Sequence, residues 1–266
     1  MKEKNNGLCV AIIPARYSSK RFPGKMLAPI LGKSLLQRTY ENAKRSPLLD
    51  SIIIATDDHR IFEHAKDFGA EVVMTSIDCP TGTDRLAEAY KKYYSHLPIN
   101  IIVNIQGDEP CLDPETLNAV IKALASSPKA SMSTAVVKIA NEKDAKNPSF
   151  VKCVFDSSHH AIYFSRALIP SNQSGTYNPN YTYYGHLGIY AYRPDFLLTY
   201  SSLKTSPLQI AEDLEQLKAL EQGYKIKVAI VESHSTGVDL PEDIKKVEGL
   251  LCKQNISLLP AASAHH

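Results

Sequence analysis

The sequence predicts a doubly wound α/β fold with a mostly parallel sheet and an antiparallel β insertion. Three observations lead there. Short apolar runs alternate with helical patterns through the first half, the signature of strand–helix–strand units. That rhythm breaks between residues 151 and 200 into closely spaced strand-like runs. It then resumes with a helical pattern, a strand and a last helix.

Taken in order, Leu8–Ile13, Ser51–Ala55, Glu71–Met74 and Asn100–Ile105 are short, nearly continuous apolar runs, as strands covered on both faces require. Helices are expected over Ser34–Arg45, where Ser34 and Gln37 stand in capping-box spacing, over Asp58–Phe68, closed by Gly69, and over Asp84–Tyr94. Asp113-Pro114-Glu115 opens another helix with a cap, an N1 proline and an early acid. Its partner strand is Ser131–Val137. Val151–Phe155 and Ala161–Ser165 read as a hairpin across Asp156–His160, and Tyr183–Tyr192 as a further strand. The polar stretch Asn172–Thr182 reads as a loop. A single helix from about Leu208 to Gln222, a strand Ile226–Val231 and a helix begun by Pro241-Glu242-Asp243 complete the pattern. Residues 1–253 are thus one domain carrying an insertion at about 151–200, and 254–266 a loose tail.

Composition narrows the function. Thirty cations face 28 acids, a net charge of +2, which gives no general case for nucleic-acid binding. Five cysteines, at 9, 79, 111, 153 and 252, form no C-x-x-C; an odd, scattered set suits a reducing, cytoplasmic setting. The first apolar run stops at Pro14 and Arg16, too short for a signal peptide. No run approaches the roughly 18 apolar residues of a membrane span.

The most informative segment follows the first strand. Residues 16–25 carry Arg16, Lys20, Arg21 and Lys25, no acid, and a Pro23-Gly24 turn. A strand, a cationic loop and a helix are how an α/β protein holds a polyphosphate. Neither common phosphate motif is present. A P-loop needs glycine where Ser19 stands and Ser or Thr where Met26 stands, and no glycine pair has G-x-G spacing. A second segment, Gln106-Gly107-Asp108-Glu109-Pro110, follows a buried strand, so its side chains emerge where ligands bind. Magnesium needs hard oxygen donors and only one or two protein carboxylates besides phosphates, which suits Asp108; a polar turn is the alternative. A third, Gly237-Val238-Asp239-Leu240-Pro241-Glu242-Asp243, puts Asp239 before a helix, where it is equally a cap. Thr81-Gly82-Thr83-Asp84-Arg85 opens a helix, and capping by Thr83 is its plain reading. Thr56-Asp57-Asp58 lacks true D-x-D spacing, and Asp58 reads as a cap.

These segments together resemble the sugar-acid cytidylyltransferases. Pro14-Ala15-Arg16-Tyr17 through Pro23-Gly24-Lys25 is similar to their nucleotide-binding loop. The Tyr17, Arg21 and Pro23-Gly24-Lys25 pattern, with QGDEP, points to the branch that activates 3-deoxy-D-manno-octulosonate (KDO) rather than a sialate. The resemblance implies a nucleotide-diphospho-sugar transferase-like fold, a magnesium-dependent reaction of CTP with KDO, a product for lipopolysaccharide synthesis, and a homodimer formed through the insertion. It implies catalytic roles for Arg16, Lys25, Asp108 and Asp239, the two aspartates holding Mg2+. Nucleotide contacts fall to Pro14, Ala15, Arg16, Arg21, Lys25, Thr81, Gly82, Arg85 and Gln106. The matching segments around Arg166, His186, Tyr190, Glu212 and Gln216 are expected to hold the sugar acid. Arg166 would pair its carboxylate as a fork and the others its hydroxyls. Each has a plainer reading: Glu212 and Gln216 as a solvated i,i+4 face, the tyrosines as packing. Gln209 stands where the family tends to have Glu. Another sugar acid, or nucleotide binding without catalysis, are the alternative functions.

Overall fold

A computed structural model describes residues 7–19, 21–232 and 236–257, with side chains given to residue 253. Of the expected tail, 258–266 lies beyond them, as does Lys20 of the cationic loop, while 254–257 continue the last helix instead of a loose tail.

The chain builds one nine-stranded sheet. Its strands are β1 (Leu8–Ala15), β4 (Ser51–Thr56), β5 (Glu71–Met74), β6 (Ile99–Asn104), β7 (Met132–Lys138), β8 (Lys152–Phe155), β9 (Ala161–Ser165), β10 (Tyr184–Tyr192) and β11 (Ile226–Val231). A two-stranded ribbon, β2 (Pro29–Ile30) and β3 (Lys33–Ser34), stands apart. The main path runs β11-β7-β10-β6-β1-β4-β5, with β8 attached to β10 and β9 to β8. β1 pairs in parallel with β4 and β6, β4 with β5, and β11 with β7. β10 alone on the main path runs antiparallel, between β6 and β7.

That position refines the expectation for 151–200. Its last strand is not part of a separate module but fills the middle of the core sheet. Tyr192, Ala191 and Ile189 of β10 are buried, and its register shifts between Leu187 and Tyr190. A bulge of this kind bends a strand and re-aims its side chains, often beside a site. The packing reading holds for two of the tyrosines: Tyr183 and Tyr192 are 2% and 1% exposed.

Helices cover both faces. α1 (Leu35–Ala43), α2 (His59–Asp67) and α4 (Pro114–Ala125) are capped by Ser34, Asp58 and Asp113, as their sequences require. α1 and α4 pack Leu36, Leu117, Val120 and Leu124 against Ile13, Ile54 and Val103 on one face. On the other, α3 (Gly82–Ala89), α6 (Pro194–Ser202) and α8 (Leu217–Glu221) bury Leu86, Leu197, Tyr200 and Leu217 against Ile12, Ile53 and Ile102. α5 (Glu142–Lys146) and α9 (Asp243–Ser257) lie after β7 and at the end of the described chain.

Two helix expectations change. α3 is capped by Thr81, not Thr83: Thr81 accepts from the Asp84 N–H while the Asp84 carboxylate takes the Thr81 N–H, a complete capping box. The helix expected over 208–222 is two, α7 (Pro207–Glu212) and α8, because Asp213 adopts a left-handed conformation, φ 51°, that ends the first. Among the described residues, no helix is long and apolar enough to cross a membrane.

Candidate active site

The segment after β6, the bulge of β10 and the segment before α9 meet around a cleft of about 590 Å³, with the end of β1 packed behind Gly107. The cationic loop is shaped by Gly24, whose φ of +72° is left-handed and whose N–H reaches the Tyr17 carbonyl at 2.8 Å. A Cβ there would also come within 3.1 Å of the Tyr17 ring, so glycine is required twice over. Arg60, held by Asp58 at 2.6 Å, stacks over the same Tyr17 ring, its guanidinium carbon 3.3 Å from the centroid.

This geometry aims Lys25, first residue of a 3₁₀ turn, inward. Its ammonium is 2.5 Å from Asp108 Oδ2 and 3.6 Å from Asp239 Oδ1, and donates to the Val238 carbonyl at 3.1 Å. Arg21 pairs with Asp239 at 2.7 Å. The two aspartates therefore converge, from 131 positions apart, on one cation. Close backbone packing fixes them. A Cβ on Gly107 would meet the Met26 sulfur at 3.0 Å and the Pro14 carbonyl at 3.2 Å, and a Cβ on Gly237 would meet Glu109 Oε1 at 3.0 Å. The Val238 N–H donates to the Asp108 carbonyl at 2.9 Å. Asp243 accepts the N–H groups of Leu240 and Asp239 at 2.8 and 2.9 Å, which hold its carboxyl below the usual range and set Asp239 in place.

Arg16 turns the other way and donates to the carbonyls of Cys79 and Pro80. Gly82, one residue after the Thr81 cap, lies against Pro14: a Cβ there would be 3.4 Å from its Cγ. Pro14, Ala15, Arg16, Thr81 and Gly82 thus form one neighbourhood at the end of β1. Gln106, Asp108, Asp239 and His186 share the cleft, with Arg21 and Lys25 bonded to its two aspartates. His186 accepts or donates with Thr134 Oγ1 at 2.9 Å and meets the Phe164 ring edge-on. Burial pushes its pKa down to about 3, so the ring is neutral.

Four residues stand otherwise than expected. Arg85 does not face the nucleotide end; it is fully buried, paired with Asp57 at 2.7 Å and bonded to Thr75. A guanidinium so enclosed needs a carboxylate partner, and Asp57, next to the capping Asp58, supplies it. Gln216 is 3% exposed, at the N-cap of α8, with its Nε2 unpartnered; since Asp213 breaks the helix, it shares no face with Glu212. Tyr190 sits inside β10, 5.5 Å from the His186 ring, and burial raises its phenol well above the usual value. Arg166 presents no free fork: its guanidinium donates to the carbonyls of Glu212 at 2.8 Å, Asp213 at 3.1 Å and Pro148 at 3.2 Å. Glu212 in turn accepts from Ser165 Oγ at 2.6 Å and the Arg166 N–H at 2.9 Å. Burial raises that carboxyl, but these hydrogen bonds outweigh it and the net shift is downward.

Ser149, Phe150, Leu187, Gly188 and Lys246 also line the cleft. Leu187 and Gly188 lie in the matching segment around His186, with no role expected of them, and the β10 bulge brings them there; Ser149, Phe150 and Lys246 lie in no motif.

The sequence model of the cytidylyltransferase family matches residues 10–226. The 3-deoxy-manno-octulosonate cytidylyltransferase of Protochlamydia amoebophila (strain UWE25) is 57% identical over 95% of this chain and 97% of its own. That of Chlamydia pneumoniae is 49% identical over 92% and 94%. A solved CMP:2-keto-3-deoxy-manno-octonic acid synthetase complexed with CTP superposes with a TM-score of 0.86 at 36% identity, over 93% of this chain and 99% of that one. A 4-diphosphocytidyl-2C-methyl-D-erythritol synthase from Anaerococcus prevotii, at 16% identity and a TM-score of 0.62, shares the fold. Matched along most of its length in sequence and in structure, the chain belongs to the cytidylyltransferase family, among the 3-deoxy-manno-octulosonate cytidylyltransferases.

Proposed function

We propose that the chain joins CTP and KDO to give CMP-KDO and diphosphate. The observation that carries the reading is the acid-free cationic loop folded onto two converging carboxylates at the mouth of a cleft, in a chain of this family. The C2 hydroxyl of the sugar acid attacks the α-phosphorus, and negative charge grows on the α-phosphate and the leaving diphosphate. Arg16, Arg21 and Lys25 stabilise that charge, and groups fixed in advance do so without reorganisation. Lys25 serves two partners: it neutralises Asp108 and Asp239 in the ligand-free chain and turns to the phosphates on loading.

Asp108 and Asp239 are the residues that would hold Mg2+. They fit it: both donors are carboxylate oxygens, and they already enclose a cation, the Lys25 ammonium. Bound there, magnesium supplies Lewis acidity toward phosphate and sugar hydroxyl. The neutral ring of His186 keeps Nε2 on Thr134 and leaves Nδ1 for a sugar hydroxyl. We further propose a homodimer, supported by the outward Ile162 of β9 and Ile210 of α7, 62% and 71% exposed, and a cytoplasmic enzyme feeding lipopolysaccharide synthesis. The test is diphosphate release with each nucleoside triphosphate paired with KDO or N-acetylneuraminate. Release with CTP and KDO well above every other pair is expected. Comparable turnover of both acids would overturn the sugar assignment, and no release from CTP with either would overturn the activity.

A further inference from the structure

Lys152 is a buried cation that the proposed chemistry does not use. It opens β8, its residue is 0% exposed, and no motif marks it. A lysine wholly removed from water is rare and costly unless its ammonium is hydrogen-bonded. Here it donates to the Asn147 carbonyl at 2.9 Å and the Arg166 carbonyl at 2.6 Å. Burial lowers its pKa, the Glu212 carboxylate acts in the opposite sense, and Arg166 adds to the lowering.

The Asn147 carbonyl belongs to the segment that lines the cleft, and the Arg166 carbonyl to the neighbouring strand end that braces it. Asn147 leads into Pro148, Ser149 and Phe150, and the last two line the cleft wall opposite the aspartates' own loops. Phe150 is pressed against Gly185 of β10 so closely that a Cβ there would come within 2.2 Å of its ring. Arg166 follows the β9 strand and crosses in the other direction, from Pro148 to Glu212 and Asp213. Lys152 ties 147 to 166, and Arg166 ties 148 to 212–213. Two crossed cations with carbonyl partners thus hold three chain segments in register. An apolar side chain of the same volume would fill the space but leave two buried carbonyls without their donor.

We propose that Lys152 is a positioning residue for the sugar-acid end of the cleft, its buried ammonium fixing the carbonyls of Asn147 and Arg166 and so the placement of Ser149, Phe150 and Arg166. The inference rests on the KDO reading for the identity of the substrate. It leaves the phosphate end alone, because Arg16, Lys25, Asp108 and Asp239 are held by their own partners.

The test is Lys152→Met, which keeps the length and removes the donors. The Michaelis constant for KDO is expected to rise about 10-fold or more, as small misplacements of a binding wall do, with CTP affinity by calorimetry within about twofold of wild type. Backbone amides of 147–151 and 165–167 are expected to exchange hydrogen faster, while those of 105–109 stay protected. A folded variant with an unchanged KDO constant and unchanged exchange would overturn the proposal. So would a uniform loss, lower turnover and melting temperature with both Michaelis constants preserved, since that marks a purely structural lysine. If Lys152→Met does not fold, Lys152→Gln, which retains a shorter N–H donor, is expected to fall between; wild-type behaviour there overturns it equally. Exchange and CTP binding need no sugar. If the wild type fails to use KDO, the substrate reading falls, and the exchange data still decide whether Lys152 braces the wall.

Discussion

Lys25 occupies the point on which Asp108 and Asp239 converge, so a divalent ion must compete with it. Its ammonium stands 2.5 Å from one carboxylate and 3.6 Å from the other. At an effective dielectric of about 20, the nearer contact alone is worth roughly 6–7 kcal/mol before desolvation. The lysine side chain is 10% exposed and that of Asp108 26%, so desolvation offsets most of this, and a net on the order of 1–3 kcal/mol remains. Each 1.4 kcal/mol is a factor of about ten. Lys25→Met should therefore tighten Mn2+ binding to the nucleotide-free protein by roughly 10-fold or more. Titration followed by electron paramagnetic resonance or calorimetry reads this directly. The double variant Lys25→Met/Asp108→Asn should lose the gain. Unchanged or weaker Mn2+ binding in a folded Lys25→Met protein would refute the competition and remove the aspartate pair as the metal site.

Four further outcomes follow from the same geometry. Asp108→Asn or Asp239→Asn should cost roughly 100-fold or more in magnesium-dependent turnover; full turnover in either clears that residue of the role. Arg16→Ala should lower the chemical rate measured in single turnovers, because the charge it meets grows in the transition state; a change confined to the Michaelis constant for CTP would make it a ground-state anchor. His186 has a folded pKa depressed to about 3, below the unfolded value of about 6.5; its contribution is present above pH 6.5 and lost as pH falls toward 3, about 1 kcal/mol by pH 5.5, so His186→Gln should flatten the acid side of the stability curve, and an unchanged acid limb argues that the ring titrates normally. Sedimentation at micromolar concentration should give twice 29.4 kDa, and an actively turning-over monomer would end the dimer proposal.

Much of this architecture is legible locally, and what is not has identifiable physical causes. Ile12, Ile53, Ile102 and their neighbours are covered on both faces, so their strands read as continuous apolar runs with little ambiguity. Ser34, Asp58 and Asp113 announce helix starts because a short side-chain acceptor at that position has one dominant use. The order of strands is another matter. Nothing in Tyr184–Tyr192 states that it will run antiparallel between β6 and β7, since any buried strand offers its neighbours the same ladder of donors and acceptors. The break at Asp213 is equally silent, because periodicity registers side-chain polarity and not a single left-handed φ at a non-glycine residue.

Charged residues expose a deeper limit, set by where their partners lie. Asp108 and Asp239 stand in segments whose resemblance carried their pairing, and the structure brings them together through Lys25. Arg85 stands in an equally suggestive segment, yet its partner is Asp57, directly after β4, and the guanidinium is sealed in the core. Lys152 looks like an exposed strand lysine and is buried instead, answered by two carbonyls that no composition reveals. What separates a cation that meets ligand from one that braces the fold is the identity of its nearest acceptors. Lys25 and Arg21 rest on carboxylates that a divalent ion can take over. Arg85 is locked to a buried acid, and Lys152 and Arg166 are bonded to main-chain carbonyls. An exchangeable partner leaves a cation available for phosphate; a structural one does not. On that ground we propose that Lys25 and Arg21 are the cations poised to meet phosphate, and that Arg16 joins them by exchanging the Cys79 and Pro80 carbonyls for phosphate oxygens.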